Sequence, residues 1–214
     1  MKIVTKPLGM IQANCYLLVS EQNRVLVLDP GGDASAIIRY LEQNSLTLGA
    51  ILLTHGHHDH IAAVWDLLDY EQVPVYVPEQ DLEMLEDISL SLCGMAPLYF
   101  HYEKGVSYHT VQDGDVVKLD EISLQVIHTP GHTKGSSCYL GEGALFTGDT
   151  LFEGSVGRTD LYGGSYPVLK ASLEKLAALP QDYTVYPGHG GATTLEIQKK
   201  TNPYLGQVDY DDYF

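Results

Sequence analysis

Short apolar segments alternate with polar turns along most of the chain, and their spacing separates strands from helices. Continuous or alternating apolar runs predict strands over residues 15–20, 24–28, 50–53, 73–77, 123–127, 137–140, 144–146 and 184–186. Apolar residues three and four positions apart predict helices over 34–42, 61–68 and 79–88. This mixture of strands and helices predicts an α/β fold.

The segment 89–110 departs from this pattern. It has little periodicity and carries several aromatic residues, which are Tyr99, Phe100, Tyr102 and Tyr108. A structureless segment of this length inside a domain is usually functional. We therefore expect a long loop here that can cover a site.

Histidine and aspartate gather at the ends of the predicted strands. The motif His-x-His-x-Asp-His at 55–60 follows one strand and leads into a helix, and its chance occurrence in this composition is roughly 0.001. Three further turns also place a ligand-type residue after a strand. Strand ends are where α/β folds collect chemistry. The candidate metal ligands are His55, His57, Asp59, His60, His132, Asp149 and His189.

These residue types suit a pair of divalent metal ions. Two imidazoles of a His-x-His turn can converge on one ion, and the following Asp-His can face a second ion. If His132 completes the first site and His189 the second, the Asp149 carboxylate can bridge two cations that lie about 3.5–4 Å apart. We expect zinc, although iron and manganese accept the same ligands.

The motifs resemble those of the metallo-β-lactamase superfamily. The matching segments are the motif at 55–60, Gly-His at 131–132, Gly-Asp at 148–149 and Gly-His at 188–189. The resemblance covers nearly the whole chain. It implies a four-layer αββα sandwich, in which two sheets pack together, helices lie outside and the metals lie at one edge.

Within this superfamily the chain is most similar to the glyoxalase II (hydroxyacylglutathione hydrolase) branch, on the segments 148–152 and 157–158. The glutathione-contacting lysine of that branch falls at Arg158, so the resemblance implies a substrate-binding cation there. A surface ion pair with Asp160 is the alternative. The basic C-terminal arm of the branch has no counterpart in the 25 residues that follow His189, so we expect weak binding of glutathione.

The resemblance implies hydrolysis of an acyl thioester of the hydroxyacyl-glutathione type by a metal-bridging hydroxide. Asp59 and Asp149 are then the catalytic carboxylates, because Asp59 can orient the nucleophile and Asp149 can hold both metals. A lactone or β-lactam substrate is one alternative. An iron-dependent sulfur (persulfide) dioxygenase is another, since the run at 157–160 also looks like that of such enzymes. A non-catalytic metal-binding module is the last.

The remaining polar residues are expected to have no catalytic role. His58 is interpreted as solvent-facing or as a partner of the ligands, His128 as packed, and His101 and His109 as surface residues. The acidic residues of the segment 79–87 are interpreted as the solvated face of a helix.

Composition narrows the classes of partner. The 214 residues include 44% hydrophobic residues, which is enough to build a continuous core, and we expect one domain over 1–214. The formal net charge of −16 disfavours nucleic acid and anionic membranes as partners, which leaves a small-molecule substrate. Cys15, Cys93 and Cys138 are expected to be reduced and buried, and the N-terminus lacks a signal-peptide pattern, so a cytoplasmic location is expected. The sequence does not fix the oligomeric state.

Overall fold

Two six-stranded sheets form the centre of the fold in the computed structural model, which describes residues 1–91 and 102–205. The first sheet contains, in spatial order, β1 (Lys2–Leu8), β2 (Ala13–Val19), β3 (Arg24–Leu28), β4 (Thr47–Leu52), β5 (Val75–Pro78) and β6 (Tyr108–Val111). The second contains, in spatial order, β14 (Thr193–Thr194), β13 (Thr184–Pro187), β10 (Ala144–Gly148), β9 (Ser137–Gly141), β8 (Ile122–His128) and β7 (Val116–Leu119). A separate short hairpin pairs β11 (Leu151–Phe152) with β12 (Ser155–Val156).

Helices connect the strands and cover the sheets. They are α1 (Ala34–Gln43), α2 (His58–Ile61), α3 (Val64–Tyr70), α4 (Leu82–Glu86), α5 (Tyr166–Ala177) and α6 (Leu195–Thr201), with a single 3-10 turn at Glu79–Asp81. In the described part of the chain, no helix combines the length and the apolar character needed to span a bilayer.

Three hydrophobic clusters define the layers. The first packs α1 and α3 against one face of the first sheet, with Ile37 and Trp65 at its centre. The second lies between the two sheets and includes Leu26 and Phe146. The third packs α5 against the outer face of the second sheet, through Leu169 among others. This order of layers confirms the predicted αββα sandwich.

Parallel pairing brings the chemically important strand ends to the same edge. Strands β3, β4, β5 and β6 run parallel to one another in the first sheet. In the second sheet β10 and β13 are parallel, so the loops after Gly148 and Pro187 leave the sheet side by side. The amide of Gly188 donates to the carbonyl of Gly148 at 2.7 Å, which joins these two loops directly.

Most predicted elements are present, with shifted ends. The segment 61–68 lies in two short helices, α2 and α3, rather than in one. The segment 89–110 was expected to be a loop throughout, but its end belongs to strand β6, which pairs in parallel with β5. Residues 92–101 lie outside the described residues. They include His101, Cys93 and most of the loop that was expected to cover the site.

The expected solvated face holds for Glu79, Glu83, Glu86 and Asp87, which are exposed or partly exposed, but it is wrong for Asp81. The segment 79–88 forms a 3-10 turn followed by the short helix α4, and Asp81 between them is 1% exposed rather than part of a solvated face. Its carboxylate is buried because three groups of neighbouring loops donate hydrogen bonds to it.

Phe146 tests the packing between the sheets, because its ring is fully buried between Tyr16 and Tyr186, with ring centroids 5.3 and 5.2 Å away. Phe146→Ala should lower the free energy of unfolding of the apoprotein by about 3–5 kcal/mol, measured by urea denaturation. Val116→Ala is the control, since Val116 is 49% exposed, and it should change this free energy by no more than about 0.5 kcal/mol. Equal losses in the two variants would contradict the assigned core.

Candidate metal centre

The structure brings all seven predicted ligand residues together at one edge of the sandwich. They come from the loops that follow β4, β8, β10 and β13. They form three overlapping groups in which the ligand-type atoms lie within 4.8 Å of one another. The groups are His55, His57 and His132, then His55, His60 and Asp149, and finally Asp59, His60 and His189. Their roles as ligands stay a prediction, but their convergence is a property of the fold.

The first group consists of three buried imidazoles. The Nδ1 atom of His57 lies 2.8 Å from Nε2 of His132. The other ring nitrogen of His132, Nδ1, donates to the backbone carbonyl of Arg158 at 2.7 Å. Nδ1 of His55 lies 3.0 Å from the Thr54 hydroxyl, which itself donates to a carboxylate and therefore accepts from the ring. The outer partners of His55 and His132 thus hold their Nδ1 protons, so that Nε2 of each ring faces the group, where His132 Nε2 meets His57 Nδ1.

The third group, Asp59, His60 and His189, mixes imidazole with carboxylate. Nε2 of His60 lies 3.6 Å from Asp59 Oδ2, and Nε2 of His189 lies 3.2 Å from the same oxygen. Nδ1 of His60 donates to Asp29 at 2.9 Å. The Asp29 contact therefore fixes which His60 nitrogen faces the group.

Asp149 lies between the first and the third group. Its Oδ1 atom is 3.4 Å from His60 Nε2, whereas Oδ2 is 3.5 Å from His132 Nε2 and 3.6 Å from His189 Nε2. The two carboxylate oxygens thus face histidines of both groups. This is the arrangement that a bridging carboxylate requires.

Burial and neighbouring charges shift the pKa values of the histidines and aspartates in this centre. Burial, reinforced by adjacent histidines, holds the pKa of His55 well below its ordinary value and lowers that of His57 to about 3. Burial alone would raise the pKa of Asp59 and Asp149, but His60 reverses this and lowers both. Burial alone would lower the pKa of His60, but the carboxylates of Asp149, Asp59 and Asp29 raise it well above its ordinary value. The centre therefore combines neutral His55 and His57 with ionised carboxylates, and a cation that binds His60 must displace its proton.

Several buried atoms that could bind a metal ion support this assignment. Within residues 1–91 and 102–205, the atoms His55 Nε2, His60 Nε2 and Asp149 Oδ1 are buried and have no hydrogen-bond partner. Buried polar atoms without partners are rare and costly in native proteins. Each of these atoms lies in the cluster of ligand-type atoms, so bound metal ions would satisfy them. The residues present fit a pair of metal ions.

Sequence reasoning missed the buried carboxylate that supports the cluster. Asp29 accepts hydrogen bonds from the Thr54 amide at 2.7 Å, the Thr54 hydroxyl at 2.6 Å and His60 Nδ1 at 2.9 Å. Asp29 follows strand β3 directly, just as the candidate ligands follow other strands. This position at a strand end was the sequence signal that could have placed Asp29 near the centre. The sequence pattern showed a turn at 29–32 but no reason to assign Asp29 to the centre.

Arg158 takes part in the site through its backbone rather than its side chain. Its guanidinium is 62% exposed and makes two hydrogen bonds of 2.7 Å to the carboxylate of Asp160. This is the surface pair that the sequence offered as the alternative to a substrate contact. A role in binding substrate stays a prediction.

Other residues with assigned roles fall at the rim or away from the centre. His58 is partly buried, with its Nδ1 atom 3.7 Å from Asp59 Oδ1. His128 Nε2 donates to the backbone carbonyl of Lys134 at 2.9 Å, and His109 is exposed beside Tyr76. Cys15 and Cys138 are buried free thiols, as predicted.

Comparison with known proteins agrees with this geometry. A family profile described as "Metallo-beta-lactamase superfamily" matches residues 8–189. The "Probable metallo-hydrolase YqgX" of Bacillus subtilis is 38% identical and aligns over 96% of this chain and 98% of its own length. The "Hydroxyacylglutathione hydrolase GloC" of Haemophilus influenzae is 34% identical, over 96% of this chain and 98% of its own.

Solved structures show the same fold. The crystal structure of the "BLEG-1 B3 metallo-beta-lactamase" has a TM-score of 0.89 and 38% identity, covering 95% of this chain and 99% of its own. "TTHA1623 in a di-iron-bound form" has a TM-score of 0.82 and 35% identity, with coverage of 96% and 100%. "ETHE1 from Myxococcus xanthus" has a TM-score of 0.77 and 28% identity, with coverage of 95% and 84%.

Gly188 provides a steric test of the centre. A Cβ atom at this position would lie 2.1 Å from Asp149 Oδ1 and 2.8 Å from His60 Cε1. Gly188→Ala should therefore displace Asp149 and reduce the metal retained after reconstitution, measured by elemental analysis. Gly191→Ala is the matched control, because its Cβ would meet only Glu153 Oε2 at 3.7 Å. Full metal content in both variants would argue against a site at Asp149.

Proposed function

The chain belongs to the metallo-β-lactamase superfamily, and on that premise we propose that it hydrolyses acyl thioesters of the hydroxyacyl-glutathione type. The observation that carries the proposal is the position of Asp149, whose two oxygens face histidines of two adjoining donor groups. The similarity to the hydroxyacylglutathione hydrolase GloC, which extends over nearly the full length of both chains, favours a thioester over other acyl substrates.

We assign the donors to two ions by the atoms that their partners leave free. His55, His57 and His132 would hold one ion, and Asp59, His60 and His189 the other. Asp149 would contact both. When bound, the ions would supply Lewis acidity, which lowers the pKa of a water from about 15.7 toward about 7 and stabilises negative charge that develops on a substrate oxygen.

The protein's own residues prepare the centre for this chemistry. The Thr54 hydroxyl and the Arg158 carbonyl hold the protons of His55 and His132 on their outer nitrogens, so that the inner nitrogens carry lone pairs. Asp59 is 15% exposed in its side chain, and we propose that it orients the attacking water by accepting its hydrogen bond. Its ionised form suits this role, because the neighbouring His60 keeps the pKa of Asp59 low against the effect of burial.

A second candidate function is oxidation of a persulfide by an iron centre. Two imidazoles and one carboxylate form the donor set of many non-haem iron oxygenases, and His55, His60 and Asp149 lie in such a group. The similarity to ETHE1 from Myxococcus xanthus keeps this candidate open. We favour hydrolysis because seven donors, rather than three, converge here, which suits two ions.

Metal analysis combined with a substrate panel tests the proposal. The protein as purified should contain about two metal ions per chain and should hydrolyse hydroxyacyl-glutathione and short acyl thioesters faster than lactones or β-lactams. Activity should disappear on chelation and return with Zn²⁺, Fe²⁺ or Mn²⁺. A single iron per chain together with oxygen uptake on glutathione persulfide would instead establish the second candidate.

Asp149→Ala should abolish thioester turnover and lower the metal content below two ions per chain. The reason is that this substitution removes the proposed bridge while leaving the two cations close together. Initial rates and elemental analysis measure the two effects. Asp160→Ala, which removes an exposed aspartate, serves as the control and should retain both ions. Full activity with two retained metals in Asp149→Ala would rule out the bridge.

Arg158→Glu tests the predicted substrate-binding cation. If the guanidinium leaves Asp160 to meet an anionic glutathione moiety, this variant should raise KM for glutathione thioesters by about tenfold, or about 1.4 kcal/mol. A small neutral thioester should be unaffected, since the metal centre is unchanged. Lys118→Glu makes the same charge reversal on the exposed face of β7 and controls for net charge. Equal effects on both substrates would assign Arg158 to the surface pair alone.

A further inference from the structure

Asp81 is a buried carboxylate that belongs to none of the three groups of ligand-type residues. It is 1% exposed and lies where the 3-10 turn after β5 meets α4. Its Oδ2 atom accepts hydrogen bonds from the Gly56 amide at 3.0 Å and from the Thr133 hydroxyl at 2.7 Å. Its Oδ1 atom accepts from the Gly135 amide at 2.7 Å. A carboxylate this deeply buried requires a set of donors of this kind.

The three donors come from two different ligand loops. Gly56 lies between His55 and His57, and Thr133 follows His132 directly. These two loops come from opposite sheets, since one follows β4 and the other follows β8. A single carboxylate therefore joins the two segments that carry the three-histidine group.

The surroundings are shaped to let Asp81 approach both loops. A Cβ atom on Gly135 would lie 2.6 Å from the Asp81 amide nitrogen and 2.8 Å from Oδ1, so only glycine leaves room for the carboxylate. Thr133 is held in turn by Ser136, whose hydroxyl accepts from the Thr133 amide at 3.0 Å. The groups that contact Asp81 are therefore themselves held in place, by the close packing at Gly135 and by the hydrogen bond between Thr133 and Ser136.

We propose that Asp81 is a positioning residue, which holds the loops of His55, His57 and His132 at the spacing that one of the two metal ions requires. This inference rests on the proposed function only in assuming a metal-bound centre. Asp81 touches none of the ligand side chains in the contacts described above, and it acts through the backbone of Gly56 and the loop at 133–135. Outer partners of metal ligands commonly set metal affinity in this way.

An amide cannot replace this carboxylate. Asn at position 81 would keep one acceptor oxygen, but its NH₂ group would face either the Gly135 amide or the Gly56 amide and Thr133 hydroxyl. At least one loop would lose its contact, and two donors would oppose each other. The expected result is a change in the spacing of the three histidines rather than in their chemistry.

Metal titration of the full chain tests the proposal. Zn²⁺ affinities are measured by competition with a chelator for the wild type, Asp81→Asn and Glu83→Gln. Glu83 is the matched control, because it also contacts the loop after His132, through Lys134, but its side chain is 44% exposed. Asp81→Asn should bind one ion with wild-type affinity and the other about 10- to 100-fold more weakly. Glu83→Gln should bind both ions as the wild type does.

A second pair of variants covers the case in which Asp81→Asn fails to fold. Thr133→Ala removes one of the three donors and should weaken the same ion, and Thr133→Ser should restore its affinity by returning the hydroxyl. Urea denaturation of the metal-free proteins checks that folding is retained. Two wild-type affinities in folded Asp81→Asn, or in Thr133→Ala if Asp81→Asn does not fold, would overturn the proposal. A wild type that binds two ions but hydrolyses no thioester would refute the proposed function and leave this inference standing.

Discussion

Burying a cluster of imidazoles and carboxylates is the constraint on which the rest of the structure depends. A buried polar group without a partner costs about 1–3 kcal/mol of stability. The fold meets this cost on the outer side of the centre, where Asp29, the Thr54 hydroxyl and the Arg158 carbonyl bind the outer ring nitrogens. On the inner side, partners are lacking among the described residues, and that imbalance points to cations.

The sheet topology explains why the donors meet. Parallel pairs place the carboxyl ends of their strands at one edge, and the sandwich brings the edges of both sheets together. The loop after β4 supplies four candidate ligands from the first sheet, whereas the loops after β8, β10 and β13 supply one each from the second. A site assembled from two sheets needs interactions that hold the sheets together, and we call each such hydrogen-bonded contact a tie. Tyr16, whose hydroxyl donates to the Pro187 carbonyl at 2.6 Å, is one tie, and Asp81 is another.

Asp29 and Asp81, which are buried carboxylates outside the set of candidate ligands, have comparable roles in different places. Asp29 joins the end of β3 to Thr54 and His60, within the first sheet. Asp81 joins the loop of Gly56 to the loop of Thr133, across the two sheets. The groups that donate to these carboxylates lie in loops beside the centre or, for His60, in the short helix α2. This is how a cluster of seven ligand-type side chains can be held in place before any ion is bound.

The sequence by itself determined the chemistry and the class of fold. Strand ends followed by His and Asp gave the seven candidate ligands, and apolar periodicity gave most of the strands, because both signals are local in the chain. The elements that were not predicted are strands β1, β6 and β7, the short strands β11, β12 and β14, and helices α5 and α6. The signal of β1 is weak, because several of its residues are exposed or only partly buried on an edge strand. Helix α5 carried an available signal, since Leu169, Leu173 and Leu176 recur at helical spacing.

Only the tertiary structure decided which polar residues support the centre. The sequence placed Asp81 on a solvated helix face because acidic neighbours surround it, yet donors from loops that are distant in sequence bury it. It offered Arg158 equally as a substrate contact or a surface pair, and the fold shows the pair with Asp160. Periodicity and motif spacing report the local chain, whereas the partner of a buried charge is set by packing between segments far apart in sequence.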